Sequence, residues 1–437
     1  MWSALRWPIP LLVTRRCLLD ATERTSPWTR NAWRSALPHL DERSYVAKVS
    51  ELTAETKATV DLTSLRVKSS LRSELMPPRA PAASVSVPKK QGEAASFEVL
   101  LKQVRREVES RLTRVFEQKL IDAEPLGPDV VALVDALRDL TMRGGKRFRP
   151  ALLVAAYRAV DETAPDAVAF DAGAALELLQ TYLLVHDDWM DRDDVRRGGP
   201  AVHALLAHHF GSRTMGDAAA LLAGDYASAV ALEALASIET TGDRVTRAMR
   251  LFAQIQQDAI RGQQIDLVGR PQNIEVMHDL KTGSYTVRGP MLLGAILAGA
   301  EPAILERLTR FANPLGVAFQ LRDDLLGAFG HPKETGKPFG SDIRSGKKTA
   351  LADEALSRAG VSDRHLLTET LGRRDAADDE INAVIALYER CGARAAVERR
   401  LGQLVKKATS ALAGSGLSKR GTAWLLGAAA TMTVRER

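Results

Sequence analysis

From Phe97 onward, apolar residues recur at three- and four-residue steps, with Phe97, Leu101, Val104, Val108, Leu112, Val115 and Leu120 separated by charges. That spacing lines them along one face of a helix. The same period runs through residues 130–142, 151–160, 170–186, 218–238, 245–265 and 303–328. No run of strands alternating apolar and polar positions stands between turn signals, and no repeat of fixed period emerges. The pattern predicts one all-α domain over residues 96–437.

Composition agrees, because the apolar content is mostly Ala, Leu and Val and aromatics make up only 5%. Residues 1–95 differ: they hold four of the six Trp, many Arg and Ser, and a Pro-rich stretch at 76–90 that reads as a linker. No stable fold is expected there. The stretch 7–13 contains two prolines and leads into Thr14-Arg15-Arg16, a poor secretory signal. An Arg-rich targeting segment is one reading. A disordered tail, or an over-long start with translation beginning near Met76, is the simpler one.

The net charge of +6 has a similar origin, since residues 1–95 carry 15 Lys and Arg against 9 Asp and Glu, which leaves 45 of each in the remainder. A neutral body without a basic, aromatic-studded face argues against a nucleic-acid partner. Cys17 and Cys391 stand far apart with no Cys or His cluster, which excludes a disulfide framework and a zinc site and fits a reducing cytoplasm. Unbroken apolar stretches such as 290–300 are shorter than the roughly 20 residues of a bilayer-crossing helix. No transmembrane segment is expected.

The chemistry concentrates where apolar helices end. His186-Asp187-Asp188-Trp189-Met190-Asp191 closes one of them. Asp187 and Asp191 stand four residues apart, so both carboxylates project from one helical face with Cβ atoms about 6 Å apart. Such a set repels itself unless a cation neutralises it. Asp323-Asp324 ends a second apolar helix. Either end alone reads equally well as a solvated terminus. Two of them can face each other across a cavity and hold magnesium between carboxylates and the phosphate oxygens of a diphosphate. Basic loops complete the set: GGKRFRP at 144–150 and RRGGP at 196–200 supply cations suited to phosphate.

These residues resemble the polyprenyl synthase family, the trans-isoprenyl diphosphate synthases. The resemblance spans most of 97–437 and none of 1–95. It is carried by the order of GGKRFRP, Gln180, HDDWMD, RRGGPAVH, LAGD at 222–225, GQQID at 262–266, KTGSYT at 281–286, FQLRDD, and TGKPFGSDIRSGKKT at 335–349. It implies an orthogonal bundle of antiparallel helices around a deep central cavity, assembled as a homodimer, that condenses isopentenyl diphosphate with an allylic diphosphate.

By the same resemblance, Asp187 and Asp191 ligate magnesium with the allylic diphosphate, Asp188 supports them, and Asp323 with Asp324 forms the opposite metal wall. Arg196, Lys281 and Lys337 contact the allylic diphosphate. Lys146, Arg149, Gln180 and Arg197 match the metal-independent isopentenyl diphosphate site. Thr282 and Gln320 line the region where the allylic cation forms, and Asp342 with Lys347 belongs to a segment that closes over it. Tyr182 and Leu183, five and four residues before Asp187, match the pattern of a twenty-carbon product, with Tyr182 as the floor of the chain cavity. Tyr182 packing only in the core is the alternative.

Two positions depart from the family pattern: Gly327 stands where many relatives carry a third Asp, and Gln180 stands where some carry His. Geranylgeranyl diphosphate is the expected product, with a farnesyl or longer chain, or a weakly active or regulatory subunit, as alternatives. Terpene cyclases and head-to-head synthases lack the GGKRFRP loop and fit less well.

Overall fold

The computed structural model describes residues 91–269, 273–330 and 340–433. The expectations for residues 1–90, including the linker at 76–90, lie outside the described residues. Each helical period read from the sequence forms a helix. Numbered from the first described element, these are α1 (Gln91–Ala123), α2 (Pro128–Met142), α3 (Phe148–Val160), α4 (Asp166–Asp191), α6 (Arg213–Ala236), α7 (Gly242–Val268) and α10 (Pro302–Phe329). The all-α class holds.

Additional helices occur where the apolar period is short or interrupted: α5 (Val202–Phe210), α8 (Ile274–His278), α9 (Gly289–Leu297), α11 (Ser341–Arg344), α12 (Ala350–Arg358), α13 (Val361–Thr370), α14 (Asp378–Arg390), α15 (Ala393–Ser410) and α16 (Lys419–Thr433). Between α8 and α9 the chain winds as a π-helix over Asp279–Arg288. Such wide turns are rare and gather at functional positions. A two-stranded hairpin, β1 (Val195–Arg196) with β2 (Gly199–Pro200), is the strand structure among the described residues. Its turn places Arg197 and Gly198 at φ +53° and +75°. Two successive positive φ values define the type I′ turn that matches strand twist.

The main core is built around α4, whose Ala169, Ala172, Ala175, Leu176 and Leu179 are buried. It packs against α6, α3 and α1. A second apolar cluster joins the end of α10 to α12, α14 and α15 through Leu321, Leu325, Leu351, Val384 and Leu401. Glycines set two close crossings. A Cβ on Gly262 of α7 would overlap the backbone of Lys281, and one on Gly316 of α10 would stand 3.2 Å from Gly283 Cα. The π-helix is thereby clamped between α7 and α10.

The apolar runs were expected to be too short for a membrane span, yet as whole helices α4 and α6 have the length and apolarity for one. The reading of unbroken runs missed them because isolated polar residues interrupt each. For α4, 78% of the relevant stretch is buried inside the protein, as befits a core helix. For α6 only 44% is buried, and its Met215, Leu222 and Leu232 are exposed.

Candidate active site

Helix α4 carries Gln180, Tyr182, Leu183, Asp187, Asp188 and Asp191 in its last three turns. Its end stops at Arg192, which adopts a left-handed φ of +61° and turns the chain toward the hairpin. The hairpin then brings Arg196 back over the acidic end. Arg196 Nε donates to Asp188 Oδ1 at 2.6 Å, and Nη2 lies 3.6 Å from Asp187 Oδ2. Asp188 is fully buried, so its carboxylate orients Arg196 while Asp187 and Asp191 sit nearer the solvent side.

The π-helix delivers Lys281 to the same place. Lys281 Nζ donates to Asp266 Oδ2 at 2.5 Å and lies 3.4 Å from Asp187 Oδ1. Asp266 ends the GQQID motif of α7, and Gly262 one turn earlier admits the Lys281 backbone. Asp266 therefore positions a site cation. Its role was not singled out in the sequence, although a carboxylate one turn after a glycine in that motif was a usable signal.

Burial pushes the Asp191 carboxyl up to about 6, and the neighbouring charge of Asp187 adds to it, while Lys281 opposes. Asp187 Oδ1 is buried without a hydrogen bond among the described residues. A buried carboxylate oxygen without a hydrogen bond, beside a second carboxyl held up by burial, is what a bound cation would relieve. Among the described residues, no three His, Cys, Asp or Glu side chains converge to hold an ion unaided. This donor set fits a hard divalent cation that draws its other ligands from water and phosphate oxygens.

The second acidic pair closes α10. Asp324 is buried: its Oδ1 accepts from Gln320 Nε2 at 3.0 Å, and its Oδ2 accepts from the backbone of Ala350 at 3.0 Å, holding the start of α12. Asp323 is more exposed, and Lys347 Nζ lies 3.9 Å from its Oδ2. Lys347 is also 3.9 Å from Asp342 Oδ2. These carboxylates hold the Lys347 ammonium above its ordinary range against the opposing effect of burial. Asp266 acts electrostatically on both Lys347 and Asp191. His278, also missed in the sequence, is buried, with Nε2 unpaired among the described residues, and burial lowers its imidazole from the ordinary value while Asp324 opposes.

The basic loop divides its labour. Arg147 is buried, with φ +49°, and pairs with Glu177 Oε2 at 2.5 Å while donating to Thr141 O at 2.8 Å. It anchors the loop. Lys146 is exposed beside it, and Arg149 donates to Thr286 Oγ1 at 2.8 Å with its guanidinium 4.4 Å from the Tyr285 ring centre. Arg197 Nη1 donates to Gly144 O at 2.6 Å, joining the hairpin to the loop. Burial lowers the Arg197 guanidinium from its ordinary value, and Arg147, Arg149 and Arg196 add repulsion that Glu177 offsets. That crowding of cations is suited to an anion. Gln180 is buried with Oε1 unpaired among the described residues. Thr282 is half-buried beside Lys281. Lys337 lies outside the described residues.

A cavity of about 270 Å³ runs from the first acidic end and is lined by Tyr182, Leu183, Asp187 and Met190 of α4, Ile260 and Leu267 of α7, and Tyr285. Asp187 and Lys281 line it together with these largely apolar walls, in which His186, Gln263 and Gln264 are the further polar groups. The Tyr182 ring stands edge-on to His186 at 5.0 Å.

Residues 130–388 match the model of the polyprenyl synthetase family. The chain is 33% identical over 307 residues to a geranylfarnesyl diphosphate synthase of Aeropyrum pernix, which covers 68% of this chain and 92% of that protein. A geranylgeranyl diphosphate synthase of Saccharolobus solfataricus is 35% identical over 257 residues, or 57% of this chain and 74% of that protein. The crystal structure of geranylgeranyl pyrophosphate synthase from Corynebacterium glutamicum, complexed with isoprenyl diphosphate and magnesium, superposes with a TM-score of 0.72 at 31% identity, covering 77% of this chain and 99% of that one. The acidic ends, the clamped lysine and the adjoining apolar cavity are thus met in a chain that belongs to the polyprenyl synthetase family and is a trans-prenyltransferase.

Proposed function

We propose that this enzyme joins isopentenyl diphosphate to an allylic diphosphate to give a short linear prenyl diphosphate, geranylgeranyl diphosphate before farnesyl diphosphate. The observation that carries this reading is the largely apolar cavity that Asp187 and Lys281 share with Tyr182, Leu183 and Leu267. A charged head is held at its mouth and a hydrocarbon tail extends below.

A divalent cation, magnesium in this reading, would be held by Asp187, Asp191 and Asp323 and would supply positive charge to the departing diphosphate. Lys281 and Arg196 bind the same diphosphate, as would Lys337. They favour the charge that develops as the allylic carbon–oxygen bond breaks. Lys146, Arg149, Arg197 and Gln180 hold isopentenyl diphosphate so that its double bond faces the allylic carbon. Thr282 and Gln320 flank that point, and the Asp342–Lys347 segment excludes water. A proton leaves the new chain for the released diphosphate. Asp188 and Asp324 hold Arg196 and the start of α12 respectively and support the two acidic walls.

A second copy of the chain is the proposed partner, and the domain is proposed to act in the cytoplasm. Exposed Leu222 and Leu232 of α6 with Ile260 and Leu267 of α7 present the apolar surface that a homodimer would cover. The catalytic domain is assigned to residues 96–437, with residues 1–95 as an extension outside it. Purified protein incubated with isopentenyl diphosphate, geranyl or farnesyl diphosphate and magnesium should yield a twenty-carbon diphosphate. No chain extension with any primer would overturn the reading and favour a regulatory subunit. Light scattering at a dimer mass tests the assembly.

A further inference from the structure

Asp323 and Gly327 are one helical turn apart on α10, the same spacing as Asp187 and Asp191 on α4. At i and i+4 both positions project from one face. On α4 the second position carries a carboxylate; on α10 it carries no side chain at all. The space is nonetheless filled. A Cβ built on Gly327 would overlap Asp342 Oδ2, and Asp342 is buried at 8% exposure. Its carboxylate stands where the side chain of residue 327 would begin. Lys347 Nζ lies 3.9 Å from Asp342 Oδ2 and 3.9 Å from Asp323 Oδ2, so one ammonium serves both carboxylates.

We infer that Asp342 is the third carboxylate of the second acidic wall, supplied by the α11 segment, and that Gly327 is the positioning residue that admits it. The inference rests on the prenyltransferase reading and deepens it. The absent aspartate at 327 is then no deficit. The wall is then completed from α11 and not from α10 itself. The placement of that segment has further supports in the Ala350 backbone N–H donating to Asp324 Oδ2 at 3.0 Å and the Lys347 backbone N–H donating to Asp342 O at 3.0 Å. An aspartate on α10 itself would be present whether or not the segment had closed.

The test is an exchange. Gly327→Ala should displace Asp342 and lower kcat by about tenfold or more, with less change in KM for isopentenyl diphosphate, whose proposed cations lie elsewhere. Asp342→Ala should do the same without crowding. Two double variants then separate space from charge. Gly327→Ala with Asp342→Ala relieves the overlap but restores no carboxylate, and it should stay slow. Gly327→Asp with Asp342→Ala returns the carboxylate from the helix side, and it should recover about tenfold over that control.

A readout independent of turnover is the rise in Tm on adding magnesium with inorganic diphosphate. It should shrink in both single variants and in the alanine double, and return in the exchange. Near wild-type kcat in Gly327→Ala, or an exchange no better than the alanine double in both readouts, overturns the pairing. Wild-type turnover in the same assay distinguishes that result from failure of the prenyltransferase reading itself.

Discussion

Lys281 Nζ sits between two carboxylates, 2.5 Å from Asp266 Oδ2 and 3.4 Å from Asp187 Oδ1. One partner belongs to α7 and the other to α4, so the lysine of the π-helix ties three elements together at the mouth of the cavity. Asp266 restrains the ammonium, and Asp187 marks where the diphosphate would enter. Removing Asp266 therefore loosens the cation without removing it. Asp266→Asn is expected to lower kcat by about tenfold to a hundredfold, and Lys281→Ala by more. Steady-state assays that rank them the other way would contradict the assignment.

Asp187→Asn and Asp191→Asn should each reduce turnover by about a hundredfold or more while affecting isopentenyl diphosphate binding less. Saturating magnesium should not restore the rate. Near wild-type turnover in either would dissociate this helix end from the metal site.

Asp191 also gives a prediction in pH. Its native carboxyl titrates at about 6, above the ordinary value of 3.8. The native state thus holds the extra proton between those values, and this group's contribution to stability falls as pH rises through that window. Asp191→Asn should accordingly raise the Tm of the metal-free protein at pH 7.5. The gain should vanish near pH 4, where the native carboxyl is already neutral. Melting curves at both values, with chelator present, check it.

Lys146→Ala and Arg149→Ala should raise KM for isopentenyl diphosphate by about tenfold and leave that for the allylic substrate within a few-fold. Arg149 also holds Thr286 and Tyr285, so part of its effect should appear as lower stability. Equal weakening of both substrates would make the loop structural.

Tyr182 lines the cavity one and a half turns below Asp187, and its ring is braced by His186 at 5.0 Å. Tyr182→Ala is expected to lengthen the product beyond that of the wild type. Chromatography of dephosphorylated products reads the chain length directly, and an unchanged product from an active variant would assign the floor to another wall.

The helices of the core were legible because their apolar period is long and Ala-rich, as in α4 and α6. The segment from Ile274 to Leu297 was not, because a π-helix shifts the period away from 3.6 and its glycines answer to neighbours distant in sequence. The acidic ends and basic loops were legible as charges that an isolated helix end would not favour. How the charges divide their roles was not. Arg147 and Arg149 are two residues apart in one motif, yet one is sealed against Glu177 and the other reaches Thr286 across the site. Composition cannot distinguish them, because the difference lies in which face of the α3 start each occupies. Gly327 read as a missing ligand for the same reason: Asp342, which fills its place, is fifteen residues downstream.

The crossing of Gly283 and Gly316 leaves no room for even a methyl group to be gained comfortably, with a Cβ at 316 only 3.2 Å from the opposing backbone. The backbone that carries Lys281 is therefore held close against α10, with little freedom to drift as sequences diverge. The side chains of Leu183, Met190, Ile260 and Leu267, which line the cavity from α4 and α7, are of exchangeable size. Under the proposed function, changes of product length would fall to those side chains. The catalytic mouth can be inherited unchanged while the depth beneath it is retuned one residue at a time.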